Sequence, residues 1–233
     1  MSMERAAAIG LIAAACSLTT EAPPLEVVDS QPESRQTLPA NQALRLTFDR
    51  YLATPPLVPS PDQTYLRSGE NVVGVELGYD PVSLAVIVAP VLELSPGRDY
   101  QLVFGPDAVV ALDGTRLPQA FELTFTASPA VALAAVPAKP DFARDILPLL
   151  TGRCGCHGPS PQVFPELVAD ALIGKPSARQ PGLNLVEPGL PLRSQLVRKL
   201  LRDYPATYGE TMPPGSLLPD DDVRLVVSWV SSL

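Results

Sequence analysis

The chain has 233 residues, with 17 Lys and Arg against 25 Asp and Glu, a formal net charge of -8, and 28 prolines. The excess of acid argues against a nucleic-acid partner, which would need a basic face to meet phosphates. Proline at roughly twice its usual frequency of about 5% disfavours long uninterrupted helices and favours short strands, turns and linkers.

The N-terminus reads MSMERAAAIGLIAAACSLTT: one arginine, an apolar run from Ala6 to Ala15, then Cys16. The run is too short to span a bilayer and fits the apolar core of an export signal. Cys16 behind IAAA resembles a lipoprotein box, in which the cysteine becomes the lipidated N-terminus. Residues 1–22 are therefore read as signal peptide, lipobox and short tether. This places the chain in the periplasm or cell envelope, with its membrane contact through lipid on Cys16. The alternative is an ordinary buried apolar N-terminal helix.

Residues 23–128 read as strands. LEVVDS, ALRLTFDR, NVVGVELGYD, LAVIVAP, DYQLVFGP and FELTFTA are short, rich in Val, Leu, Phe and Tyr, and often alternate apolar with polar. Separated by PSPDQ, SPGR and LDGT, they predict an antiparallel β-sandwich. The segments SQPESRQTLPANQALRLTFDRYL, LELSPGRDYQLVFGPDAVVALDGTRL and FELTFT, in that order, resemble SbsA-type bacterial Ig-like domains. With no cysteine, histidine or carboxylate pair, this region is expected to be a scaffold or adhesive module without catalysis.

Residues 129–139, rich in Ala and Pro, predict a semi-rigid linker. From residue 140 to 233 the pattern turns helical. In DFARDILPLLTGRCGCHG, Asp141 serves as N-cap and Phe142, Ile146 and Leu149 or Leu150 share a side. RSQLVRKLL and DDDVRLVVSWVSSL also have helical spacing, the second with Asp residues at its start, where the helix dipole favours them.

Two of the three cysteines and the only histidine fall within TGRCGCHGPS, residues 151–160. Cys-x-x-Cys-His is the attachment motif of a c-type haem, but here the cysteines are Cys154 and Cys156, and Arg153 holds the usual first-cysteine position. Four pieces in order, FARDILPLLTGRCGCHG, LNLVEPGLPLRSQLVRKLL, GETMPPG and LPDDDVRLVVSWVSSL, resemble class I cytochrome c domains. The resemblance implies a small all-α domain carrying one covalent haem c. His157 would be the proximal ligand, Met212 the distal ligand, and Trp229 the aromatic that packs the last helix.

Scarcity supports that assignment independently. Low-spin haem carriers use two strong axial donors, commonly His and Met. The chain has one histidine, and its methionines stand at 1, 3 and 212, the first two inside the export signal. Two cysteines two residues apart on a helix diverge by about 200°, so Cys156, next to His157, is the surer thioether and Cys154 the displaced one. A disulfide between Cys154 and Cys156, a zinc site using both with His157, and a cytochrome-like fold that has lost its haem remain alternatives.

The expectation is thus a multidomain chain, an all-β Ig-like sandwich plus a small all-α cytochrome c-like domain, acting as an exported electron-transfer lipoprotein with a redox protein as partner. No Ser/His/Asp arrangement survives the use of His157 as a ligand, so an electron carrier is expected and a catalyst is not. The alternatives are a cell-surface structural or binding lipoprotein without haem, and a haem sensor or enzyme subunit in which Met212 leaves the iron.

Overall fold

The computed structural model describes residues 22–53, 63–132, 138–153, 167–205 and 210–233. Its first part is built from nine strands in two sheets. The four-stranded sheet has the order β1 (Val27–Gln31), β3 (Leu44–Phe48), β7 (Ala85–Pro90), β6 (Val75–Asp80). The five-stranded sheet runs β2 (Thr37–Pro39), β9 (Phe121–Ser128), β8 (Asp99–Phe104), β4 (Thr64–Ser68), β5 (Asn71–Val73).

The period of two in these strands makes the sandwich. Leu44, Leu46 and Phe48 of β3 and Val86 and Val88 of β7 are buried from one sheet. They meet Leu66, Leu102, Phe104, Leu123 and Phe125 of the other in a single core, because alternate side chains of a strand project to one face. Phe48 and Phe104 touch across the sheets with ring centroids 6.1 Å apart.

Two details differ from the expected arrangement. NVVGVELGYD, read as one strand, breaks at Gly74 into β5 and β6, which lie in different sheets; a glycine lets the chain turn sharply with no side chain to pack. The sandwich is also not wholly antiparallel, since β2 runs parallel to β9, with Leu38 opposite Ala127. Past β9, Asn41 clasps the chain: its Nδ2 donates to the Val131 carbonyl at 2.7 Å and its Oδ1 accepts from the Val131 N–H at 3.1 Å.

The second part is helical but fragmentary. Asp141 caps a π-helical turn (Phe142–Ile146) by accepting from the Arg144 N–H at 2.8 Å, and the turn runs on into α1 (Leu147–Arg153). There follow α2 (Ala169–Leu172), a 3-10 turn (Pro191–Arg193), α3 (Gln195–Leu200) and α4 (Asp220–Ser231), with Asp220, Asp221 and Asp222 in the first turn of α4. Among the described residues only α4 reaches the length at which helices approach stability of their own. The others depend on a shared core that includes Ile146, Leu150, Leu172, Val197, Leu200, Val226, Trp229 and Val230. Phe142 lies 5.2 Å from Trp229, ring to ring, so the start and end of this part pack together.

Sandwich and helical part touch. Tyr51, Tyr79, Val82 and Leu112 of the sandwich pack against the helical core. No helix among the described residues is long and apolar enough to cross a membrane.

Candidate functional site

Of the residues the sequence singles out, Met212 and Trp229 lie within the described part of the chain, whereas Cys16, Cys154, Cys156 and His157 lie outside it. Met212 is half-buried against the helical core. Its N–H donates to the Lys199 carbonyl at 2.7 Å, one of the four last carbonyls of α3 that have no partner within the helix. The Lys199 ammonium in turn donates to the Glu210 carbonyl at 2.7 Å. One residue near the end of α3 thus holds the Met212 segment at two points. Trp229, 2% exposed, belongs to the same core. The π-helical turn buries Ile146 and α1, which ends at Arg153, buries Leu150.

Beside this stands a residue that the sequence did not flag. Gln195, the first residue of α3, is 5% exposed, and its Oε1, like that of Gln63, is buried with no hydrogen-bond partner among the described residues. Its surroundings are otherwise well satisfied. The Gln195 N–H donates to the Asn184 carbonyl at 2.9 Å, the Asn184 amide donates to Glu187 at 2.6 Å, and the Ser194 hydroxyl accepts from the Glu187 N–H at 2.8 Å. Among the described residues no group of three or more His, Cys, Asp or Glu is placed to hold a metal ion.

A second set of polar side chains joins the two parts. The Asp80 carboxylate accepts from the Val82 N–H at 3.0 Å and from the Ser83 hydroxyl. It also faces Arg45 at 3.5 Å and Arg224 of α4 at 3.3 Å. Burial alone would raise its pKa; the bonds from Ser83 and Val82 and the charge of Arg224 outweigh that and hold it below its ordinary value. The Tyr51 hydroxyl donates to the Arg202 carbonyl at 2.6 Å, and its ring meets Tyr204 edge-on with centroids 4.8 Å apart. Burial, with Asp203 nearby, pushes the Tyr51 hydroxyl up to about 12. Next to these contacts is an open cleft of about 660 Å³, lined from the sandwich by Arg50, Val82 and Leu112 and from the helical part by Leu200, Leu218 and Asp220.

The geometry of the first part agrees with what known proteins show. Residues 20–127 match the family model of the bacterial Ig-like domain. The Ig-like domain therefore accounts for the sandwich and stops where the helical part has yet to begin.

Solved structures similar to the chain include the S-layer protein SbsC, residues 31–844, at 14% identity and a TM-score of 0.36, covering 53% of this chain and 16% of that one. PcoC, a copper resistance protein from Escherichia coli, is 17% identical with a TM-score of 0.34, covering 44% of this chain and 99% of that one. A third is the alpha-2-macroglobulin of Escherichia coli spanning domains MG0-NIE-MG1, 21% identical with a TM-score of 0.32, covering 51% of this chain and 38% of that one. The chain thus spans only about 16% of the length of the S-layer protein. No curated protein matches the sequence.

Proposed function

We propose that the chain is an exported lipoprotein in which an Ig-like sandwich carries a cytochrome c-like unit holding one haem c, and that it passes single electrons to a redox partner. The observation that carries this reading is the place of Met212. It is the sole methionine beyond position 3, and it is held at the end of α3, in the unit that also contains α1, whose last residue Arg153 precedes Cys154, Cys156 and His157 in the sequence.

The donors fit the group. Imidazole and thioether are a common axial pair of haem electron carriers, and thiols form its covalent links. His157 and Met212 would hold the iron, and Cys156, with Cys154 as the displaced second, would tether the macrocycle. When bound, the haem supplies a one-electron couple. Ile146, Leu150 and Trp229 would keep water away and lower the local dielectric, which tunes the potential. Such a carrier requires no acid/base pair. Membrane attachment would come through lipid on Cys16, in keeping with the Ig-like domain of bacterial proteins at residues 20–127.

Met212→Ala tests the ligand set. The expected result is a lower reduction potential and an iron open to added ligands, with haem still covalently attached. An unchanged potential and unchanged ligand binding would remove Met212 from the coordination sphere. A second reading is favoured by Arg153 standing where the first cysteine belongs: a surface-exposed structural or binding protein whose helical unit has lost its haem. Protein matured with haem machinery is red under the first reading and colourless under the second.

A further inference from the structure

The outer face of the five-stranded sheet carries a second open cleft, of about 630 Å³, lined by sandwich residues alone. Alternation along β4, β8 and β9 builds it: Leu66, Leu102 and Leu123 turn into the core, and the residues between them turn outward. Arg67, Gln101 and Thr124 stand opposite one another on these three strands, as one row across the sheet. Arg35 extends the row, its N–H donating to the Thr124 carbonyl at 2.6 Å. An arginine therefore stands at each end of the row, three strand spacings or about 14 Å apart.

The two arginines are held in different ways. The Arg67 guanidinium lies over the Tyr65 ring, 5.6 Å from its centroid, and its Nε and Nη2 donate to the Gln101 Oε1 at 2.9 and 2.6 Å. Gln101 is itself fixed by Glu122, to which its Nε2 donates at 2.9 Å. Arg67 is thus oriented by a neutral amide. Arg35 has a φ of 67°, a left-handed conformation that a β-carbon disfavours and that clusters at sites of ligand contact. Among the described residues neither guanidinium has a carboxylate partner. Between them the surface is hydroxylic and acidic. The Thr126 hydroxyl donates to the Asp99 Oδ1 at 2.6 Å, which leaves the Asp99 Oδ2 and the Glu70 carboxylate as acceptors in the cleft.

We propose that this face binds an acidic polysaccharide, whose carboxylates pair with Arg35 and Arg67 and whose hydroxyls donate to Asp99 and Glu70. The planar fork of a guanidinium matches a carboxylate with two parallel bonds. A polyanion without hydroxyls would meet Asp99 and Glu70 with nothing to donate. An added peptide strand fits no better, because the ladders already use the backbone of β8 on both sides, and strand addition needs a free edge. Neither haem nor lipid enters this contact.

The experiment titrates the full chain at low salt, by isothermal calorimetry, with polygalacturonate, alginate, neutral dextran and poly-glutamate. At least one of the two polyuronates should bind, dextran should not, and affinity should fall as salt screens the arginines. Arg35→Gly removes a guanidinium and suits the left-handed backbone, while Arg67→Met keeps an unbranched stem over Tyr65. Each should weaken binding about tenfold, the scale of one hydrogen bond to a charged group. Arg116→Ala removes a cation that pairs with Asp107 outside the cleft, and should leave the affinity as it was. Should Arg67→Met fail to fold, Arg35→Gly decides alone. No binding of either polyuronate, equal binding of dextran or poly-glutamate, or full affinity in Arg35→Gly would each overturn the proposal.

Discussion

The sandwich and the helical part close their cores by opposite means. In the sandwich, most buried side chains from Leu44 to Phe125 stand on paired strands, with Leu52, Leu94, Val109, Ala111 and Leu117 added from the connections, and the ladder β8–β9 alone aligns six residue pairs from Asp99–Thr126 to Phe104–Phe121. In the helical part, pieces of four, six and seven residues, α2, α3 and α1, rely on a common core. Isolated bridges such as Ile173–Val186 and Asn184–Ser194 tie the connections between them. A regular ladder fixes register before side chains pack, whereas short helices gain order only once their core is complete. Damage to a core should therefore stay local in the sandwich and spread through the whole helical part.

The largest effect sharpens that contrast. Trp229→Ala removes the central aromatic of the helical core and its contact with Phe142, at about 3–5 kcal/mol. In urea unfolding followed by circular dichroism, the helical signal should be lost early while the β signal keeps its midpoint. The reciprocal variant is Phe125→Ala, which opens the sandwich core where Tyr100 stacks at 5.7 Å. It should leave the fluorescence transition of Trp229, the sole tryptophan, nearly in place. A single transition shared by both probes in both variants would break the comparison.

The next effect lies between the parts. Asp80 is held below its ordinary pKa when folded, so its contribution is fully present above the unfolded value of about 4 and disappears as pH falls through the lower folded value. Asp80→Asn should weaken the junction by about 1 kcal/mol, discounted because Arg224 is 41% exposed. It should also remove the acid-sensitive part of the junction. Proteolysis of residues 129–139, quicker in wild type below about pH 4 and quicker in the variant already at pH 7, is the readout. Equal cleavage in both at pH 7 would assign the junction to packing alone.

The smallest effect is Tyr51→Phe. It deletes the hydroxyl bond to Arg202 and keeps the ring against Tyr204, for about 1 kcal/mol. The same cleavage assay should detect a slight acceleration without the pH dependence, and a loss as great as that of Asp80→Asn would mean that the charge pair is not the main tie.

The strands most legible in the sequence are those whose alternation is complete, such as Leu44-Arg45-Leu46-Thr47-Phe48, buried at every second position. Thr64–Ser68 is hard to read because it follows a proline-rich stretch and buries only Thr64 and Leu66, and Thr37–Pro39 because three residues carry too little pattern. α4 was legible from its acidic first turn and its Val and Trp spacing.

The junction was not legible. Tyr51, Asp80, Tyr204 and Arg224 are far apart in the chain, and each reads as an ordinary surface or strand residue until the fold joins them. Gln195 was hidden for another reason. RSQLVRKLL has helical spacing whichever face Gln195 occupies, and only the fold shows that this polar side chain is buried. The scarcity of His and Met singles out Met212, but its backbone bond to Lys199 has no counterpart in the sequence pattern.

The central claim, a covalent haem on the helical part, is tested most directly by the mass of the denatured protein after maturation with haem machinery. The wild type and Cys154→Ser should both retain haem through denaturation, while Cys156→Ser should lose it, because only Cys156 keeps its place beside His157. A wild-type mass without haem would contradict the account. Loss in both variants would show that the chain bends to use both thiols.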